Sequence, residues 1–102
     1  MVDSVRAQLS AITELCRKHR VRRLFLVGSA VGSSFDPAKS DIDFLVDFEP
    51  QERRGLDDVY FLLQSDLERL LNRPVDLIEA HTLRNPYLIA SINRTKQMLY
   101  AA

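Results

Sequence analysis

Apolar residues at Val5, Leu9, Ile12, Leu15 and Cys16 follow the three-or-four spacing of one helical face. The pattern predicts a first helix, opened by Asp3-Ser4 as a cap and closed by the basic run Arg17-Lys18-His19-Arg20. Cations there oppose the negative end of the helix dipole, so the run reads as a solvated cap. Leu24-Phe25-Leu26-Val27 is a short apolar run ending at Gly28, the pattern of a buried strand. A polar stretch follows from Ser29 to Ser40 and reads as a loop. From Asp41 to Phe48, acids at 41, 43 and 47 interleave with apolar residues, which predicts a strand with one polar end, stopped at Glu49-Pro50. Leu56, Val59, Tyr60, Leu63, Leu67 and Leu70 predict an amphipathic helix over residues 55–71, ended by Asn72-Arg73-Pro74. Val75-Asp76-Leu77-Ile78 reads as a third strand, Asn85-Pro86 as the opening of a last helix, and Gln97 to Tyr100 as a closing strand. Helices alternating with strands in this order predict an α/β (α+β) fold, a mixed sheet of about four strands with helices packed on it.

The strand pattern also carries the candidate chemistry. Asp41 and Asp43 stand two apart on a strand, so both carboxylates point to one face, roughly 6–7 Å apart. Two like charges at that spacing repel unless a cation stands between them. Mg²⁺ meets the need, since it takes one or two carboxylates plus substrate phosphates and keeps water for the rest. Such a pair is common on exposed strands and is weak evidence alone. Upstream, Gly28-Ser29 ends an apolar strand where a missing side chain lets backbone approach a ligand. The Ser29 hydroxyl and the amides after it are suited to phosphate oxygens, above all where a helix opens. A third acid, Asp76, lies inside another apolar strand, where a carboxylate is costly unless paired, protonated or facing a cation. If that strand lies beside the first, three carboxylates surround a two-metal site for phosphoryl transfer.

Composition narrows the range of partners. The chain has 102 residues, read as a single domain over 1–102 with a modest core. Apolar residues make up 46% and charged residues 27%, ordinary values for a globular protein. Its 14 basic and 14 acidic residues cancel, which argues against direct, sequence-independent binding of DNA or RNA but not against a small phosphate ligand. Cys16 stands alone, offers neither disulfide nor metal spacing, and reads as helix packing. No apolar run approaches the ~20 residues of a membrane span, and no signal-peptide core opens the chain. The expectation is a cytoplasmic protein without membrane contact.

The segment GSAVGSSFDPAKSDIDFLVDF resembles the signature of the DNA polymerase β-like nucleotidyltransferase superfamily: Gly-Ser, a spacer, Asp-x-Asp, and a third Asp in a later strand. Chain size and the segment Asn85-Pro-Tyr-Leu resemble its smallest branch, the minimal nucleotidyltransferases or MntA-type antitoxins. The resemblance implies that Gly28 and Ser29 hold the triphosphate, with Lys39 and Ser40 beside them. It implies that Asp41 and Asp43 ligate Mg²⁺, and that Asp76 completes a second metal site and assists deprotonation of the acceptor. It further implies ATP as substrate, two Mg²⁺, and transfer of AMP to a tyrosine of a HEPN-domain toxin, with homo- or hetero-oligomers compatible. This sequence departs from the pattern at Val31-Gly32, where many relatives carry Arg-Gly, and in a spacer of 11 residues between Ser29 and Asp41, one more than is commonest. Without that arginine, charge on the transferring phosphoryl group loses a partner, and Lys39 or a basic residue of another chain would replace it. A second reading follows: a binding module that neutralises its partner by complex formation alone. Transfer to a small molecule ranks third, because such enzymes usually add a domain for the acceptor.

Other residues take blander expectations. Asp47 reads as a strand-end acid, and His81 as a loop or capping residue. Asp57 and Asp58 read as first-turn acids facing the helix dipole. Tyr60 and Phe61 are expected in the core or at a partner interface, and Arg53-Arg54 face either a nucleotide or solvent.

Overall fold

The computed structural model describes every residue except Ser33, Ser34, Pro37, Lys39, Gln51 and Glu52, and only the backbone of residues 53–57. Its helices are α1 (Asp3–Ala7), α2 (Leu9–Lys18), α3 (Arg53–Leu71) and α4 (Pro86–Thr95). Its strands are β1 (Val21–Val27), β2 (Ile42–Phe48), β3 (Val75–Glu79) and β4 (Gln97–Ala101), forming one sheet in the order β3-β2-β1-β4. β1 runs antiparallel to both β2 and β4, while β3 is parallel to β2. Two parallel neighbours need a long crossover, and α3 supplies it. The mixed four-stranded sheet and the element order agree with the expectation from the pattern.

Alternation divides the sheet into two unlike faces. Leu24 and Leu26, Ile42, Phe44 and Val46, and Val75 and Leu77 point to one side and join Ile12, Cys16, Leu63, Leu67 and Leu71 in the main core. The residues between them point the other way. There Phe25, Val27 and Leu45 meet Ile92 of α4 in a smaller cluster. Helices α2 and α3 therefore cover one face, and α4 packs by Ile92 on the other.

Three expectations about the first helix need correction. It is broken at Gln8, whose φ of −112° and ψ of 15° end one helix and precede the next. The Val2 N–H bonds to the Ala30 carbonyl at 2.9 Å, which ties the first turn to the segment after β1. Bending at Gln8 lets both Val5 and Ile12 reach the core, where each is fully buried. Asp3 and Ser4 lie inside α1 and do not cap it; Val2 holds the cap position with no side-chain bond, and the Ser4 Oγ is buried without a partner. The basic run is not wholly solvated either. His19 is only 6% exposed, and its Nε2 lies 2.7 Å from Asp66 Oδ2 on α3. That hydrogen bond holds the Asp66 carboxyl below its usual range; burial opposes the shift and Lys18 reinforces it.

β3 is a sheet edge, and α3 covers it with one stripe of side chains. Tyr60, Gln64 and Glu68 are spaced four apart and so share a helix face. The Tyr60 hydroxyl donates to the Leu77 carbonyl. Gln64 Nε2 donates to the Val75 carbonyl at 3.0 Å, and Glu68 Oε2 accepts from the Val75 N–H at 3.1 Å. Strand groups that would otherwise template pairing with another chain are thereby satisfied. Asn72 closes α3 with a φ of 53°, the left-handed cap an asparagine tolerates. The last helix opens where the sequence predicts, and Asn85 caps it, its Oδ1 accepting from the Tyr87 and Leu88 N–H groups. Because α3 begins at Arg53, Asp57 and Asp58 fall in its second turn, not its first.

The edge stripe yields a measurable consequence. Glu68→Ala leaves the Val75 N–H without its charged acceptor and is expected to cost about 1–3 kcal/mol in urea unfolding. An unchanged midpoint would show that water satisfies this edge equally well.

Candidate functional site

β2 sits between β1 and β3, and its register sets the neighbours of Asp43. Val27 stands opposite it on β1 and Asp76 on β3. Ile42 and Phe44 on β2, and Val75 and Leu77 on β3, enter the main core. Asp43 and Asp76 consequently project from the opposite face, on adjacent strands about 4.8 Å apart. Asp41 lies one residue before the start of β2 and is exposed. The two-residue period places it toward the same face. The condition left open by the sequence, that the strand of Asp76 lies beside that of Asp43, is met.

Gly28 ends β1 against this row. Its φ is +71°, and a Cβ added there would lie 2.6 Å from Asp43 Oδ2. The Asp43 carboxylate rests on the glycine, so no other residue fits without moving it. The segment Gly28–Ala30 makes a single 3₁₀ turn, closed by the Val31 N–H bonding to the Gly28 carbonyl at 3.2 Å. No α-helix opens at this point, so any phosphate contact from Ser29 comes from a short turn, not from a helix dipole. Ser29 is half-buried within that turn.

The end of the spacer folds on itself just before Asp41. The Ser40 N–H bonds to the Asp36 carbonyl at 2.8 Å, while Ser40 Oγ accepts from the Asp36 N–H at 3.1 Å. The Ala38 N–H bonds to Asp36 Oδ1 at 2.9 Å. As an acceptor in this bond, the Ser40 hydroxyl keeps its own proton available for another partner. Lys39 lies outside the described residues, as do the side chains of Arg53 and Arg54.

Burial pushes the Asp43 carboxyl up from its usual range, and the charges of Asp76 and then Asp41 add to the shift. Asp43 therefore feels the charge of both other acids. Among the described residues, no three His, Cys, Asp or Glu side chains are gathered closely enough to hold a metal ion by themselves. An open row of hard oxygens with strained charge suits a divalent cation that completes its shell from water and phosphate. Tyr60 is a neighbour the sequence reading left out of the site. Burial raises its hydroxyl pKa first, then the charges of Asp76 and Glu79. Its helical spacing with Gln64 and Glu68 is visible in the sequence, but its nearness to Asp76 depends on the α3 crossover. Asp47 shares the Asp43 face and pairs with Arg23 at 3.3 Å, and the exposed His81 pairs with Glu79 at 3.3 Å.

Comparison with known proteins adds to this geometry. The sequence matches the family model of the nucleotidyltransferase domain over residues 10–99. A protein of Methanocaldococcus jannaschii, named as a candidate protein adenylyltransferase, is 36% identical over 93 residues, covering 82% of this chain and 90% of that one. A solved structure described as a candidate minimal nucleotidyltransferase matches with a TM-score of 0.77 and 28% identity, covering 95% of each chain. Another, described as the tri-AMPylated Shewanella oneidensis HEPN toxin in complex with its MNT antitoxin, matches with a TM-score of 0.66 over 95% of this chain and 72% of that one. Its identity is 18%, so this last likeness concerns the fold.

Gly28→Ala is expected to destabilise the chain by about 1–2 kcal/mol from the left-handed backbone alone, and further from the clash with Asp43. Urea unfolding measures it, and a neutral result would contradict the close approach. Asp43→Asn tests the electrostatics with the opposite sign. Because the folded state raises the Asp43 pKa, its ionised form weakens the fold above the unfolded-state pKa. In metal-free buffer, the variant is expected to be more stable than the parent at neutral pH. That advantage should fade as the pH falls below the carboxylate range.

Proposed function

This chain belongs to the nucleotidyltransferase domain family, and we propose that it acts as a single domain to transfer AMP from ATP, with Mg²⁺, to a tyrosine hydroxyl of a HEPN-type toxin. The observation that carries the reading is Asp43, resting against Gly28 and standing beside Asp76 in register. The M. jannaschii relative, named as a candidate protein adenylyltransferase, supports transfer to a protein. The Shewanella complex, whose description joins an AMPylated HEPN toxin to an MNT antitoxin on this fold, supports the choice of partner.

Asp41, Asp43 and Asp76 would hold Mg²⁺, which when bound offsets their mutual repulsion and polarises phosphate oxygens. Gly28, lacking a side chain, lets the Asp43 carboxylate settle beside the place of the triphosphate at the end of β1, and the Ser29 and Ser40 hydroxyls donate to its oxygens. Asp76 is exposed and takes the proton of the acceptor hydroxyl as its oxygen bonds to the α-phosphorus. The bond from that phosphorus to its bridging oxygen breaks, and pyrophosphate leaves. Val31 supplies no positive charge, so Lys39 or a basic residue of the partner balances the leaving group.

The test uses the complex with a small all-helical partner bearing an Arg-x4-His motif, encoded next to this chain. With α-labelled ATP and Mg²⁺, the parent should label a partner tyrosine. Asp41→Asn and Asp43→Asn should each reduce labelling by about 100-fold or more, the scale of losing a key electrostatic group. Undiminished labelling by either variant would sink the metal assignment. A partner that binds but keeps its unmodified mass would replace transfer with neutralisation by complex formation.

A further inference from the structure

A cavity of about 260 Å³ opens on the same sheet face as the three acids, between the sheet and α4. Its floor includes Phe25 and Leu45, its roof Ile92 and Asn93, and its far end the Arg23–Asp47 pair. The register places it with respect to the site. Arg23 pairs with Asp47, Phe25 with Leu45 and Val27 with Asp43, in successive rows on this face. The floor thus begins one row from Asp43. Along β2, Leu45 stands about 7 Å and Asp47 about 13 Å from Asp43.

We propose that this cavity seats the base of the nucleotide whose phosphates lie at Asp41, Asp43 and Asp76. The inference rests on the reading above. A ribose joins an α-phosphate to its base over the spacing that separates Asp43 from the cavity floor. Pockets for drug-sized ligands hold roughly 300–1,000 Å³, so this volume suits one heterocycle and not a whole nucleotide. Its apolar floor fits the ring faces. Lys96 Nζ stands 4.4 Å from the centre of the Phe25 ring, so that face of the ring already accepts a partner. The long Lys96 side chain can swing aside to admit a flat ring. At the far end, the Asp47 carboxylate accepts hydrogen bonds and suits an exocyclic amine such as that of adenine. The Arg23–Asp47 pair is partly exposed and contributes little stability by itself, which leaves it open to this second use.

Calorimetric titration with ATP and with inorganic tripolyphosphate, both with Mg²⁺, separates the base from the phosphates. The parent is expected to bind ATP at least tenfold more tightly than tripolyphosphate. Asn93→Trp narrows the mouth from an exposed position, and Asp47→Ala removes the acceptor. Each should lose most of the preference for ATP and keep its affinity for tripolyphosphate, a result that also certifies the fold. If the parent shows no preference, or both variants keep it, the base lies elsewhere and the transfer reading stands. If the parent binds neither ligand, the nucleotide reading falls and the base pocket falls with it.

Discussion

The close approach of the Asp43 carboxylate to Gly28 is the constraint on which the rest of the site depends. A carboxylate on the central β2 strand, partly removed from water and faced by two further acids, is an unfavourable arrangement for a bare chain. It is sterically possible because β1 ends opposite it in a glycine with positive φ, where a Cβ would collide with the carboxylate oxygen. Just before β2, Asp36 and Ser40 bond to each other, and Asp41 follows at the start of the strand. Turn, loop and acid row thus answer to one local requirement, which is room for a charge at the sheet end.

The sheet reconciles that charge with folding by giving its two faces different work. One face is continuous and apolar, and with α2 and α3 it makes the core that a chain of this size needs. The other carries Asp43 and Asp76 beside a small apolar cluster under α4. Position on the second face is only as good as the strand register, and the register of β3 is secured from outside. Tyr60, Gln64 and Glu68 bond to its free edge from α3, so the helix that makes the parallel crossover also braces the strand carrying Asp76. The same stripe brings the Tyr60 hydroxyl near enough to Asp76 for the carboxylate charge to raise its pKa.

Local features of this chain were legible in the sequence, while features that join distant segments were not. The apolar run to Gly28, the alternation from Asp41, the helix opening at Asn85 and the helix ending at Asn72 each depend on neighbours in sequence, and each lies within a residue or two of its expected limit. The break at Gln8 could not be read, and the turn it sets apart is tied to a distant segment by the Val2 N–H bond to the Ala30 carbonyl. His19 looked like part of a solvated basic run because its partner Asp66 lies 47 residues on. The pairing of Asp43 with Asp76 was conditional for the same reason: periodicity places each acid on a face but does not say which strands are neighbours. The 3₁₀ turn at Gly28–Ala30 falls between these cases, since Gly-Ser marks a turn without saying whether a helix follows.

Stability and chemistry are opposed within this one row of acids. Burial and the two neighbouring carboxylates raise the Asp43 pKa, so at neutral pH its charge is held against an internal cost. A group that weakens the empty fold in this way gains most from whatever neutralises it, and any ligand that binds only the folded state stabilises that state by mass action. A cation with its triphosphate would therefore stabilise the strand ends as well as occupy them. The main core lies on the far face, with its side chains shielded by α2 and α3 from that cost. This separation allows a chain of 102 residues to keep unfavourable charges at one end of its sheet without losing the sheet itself.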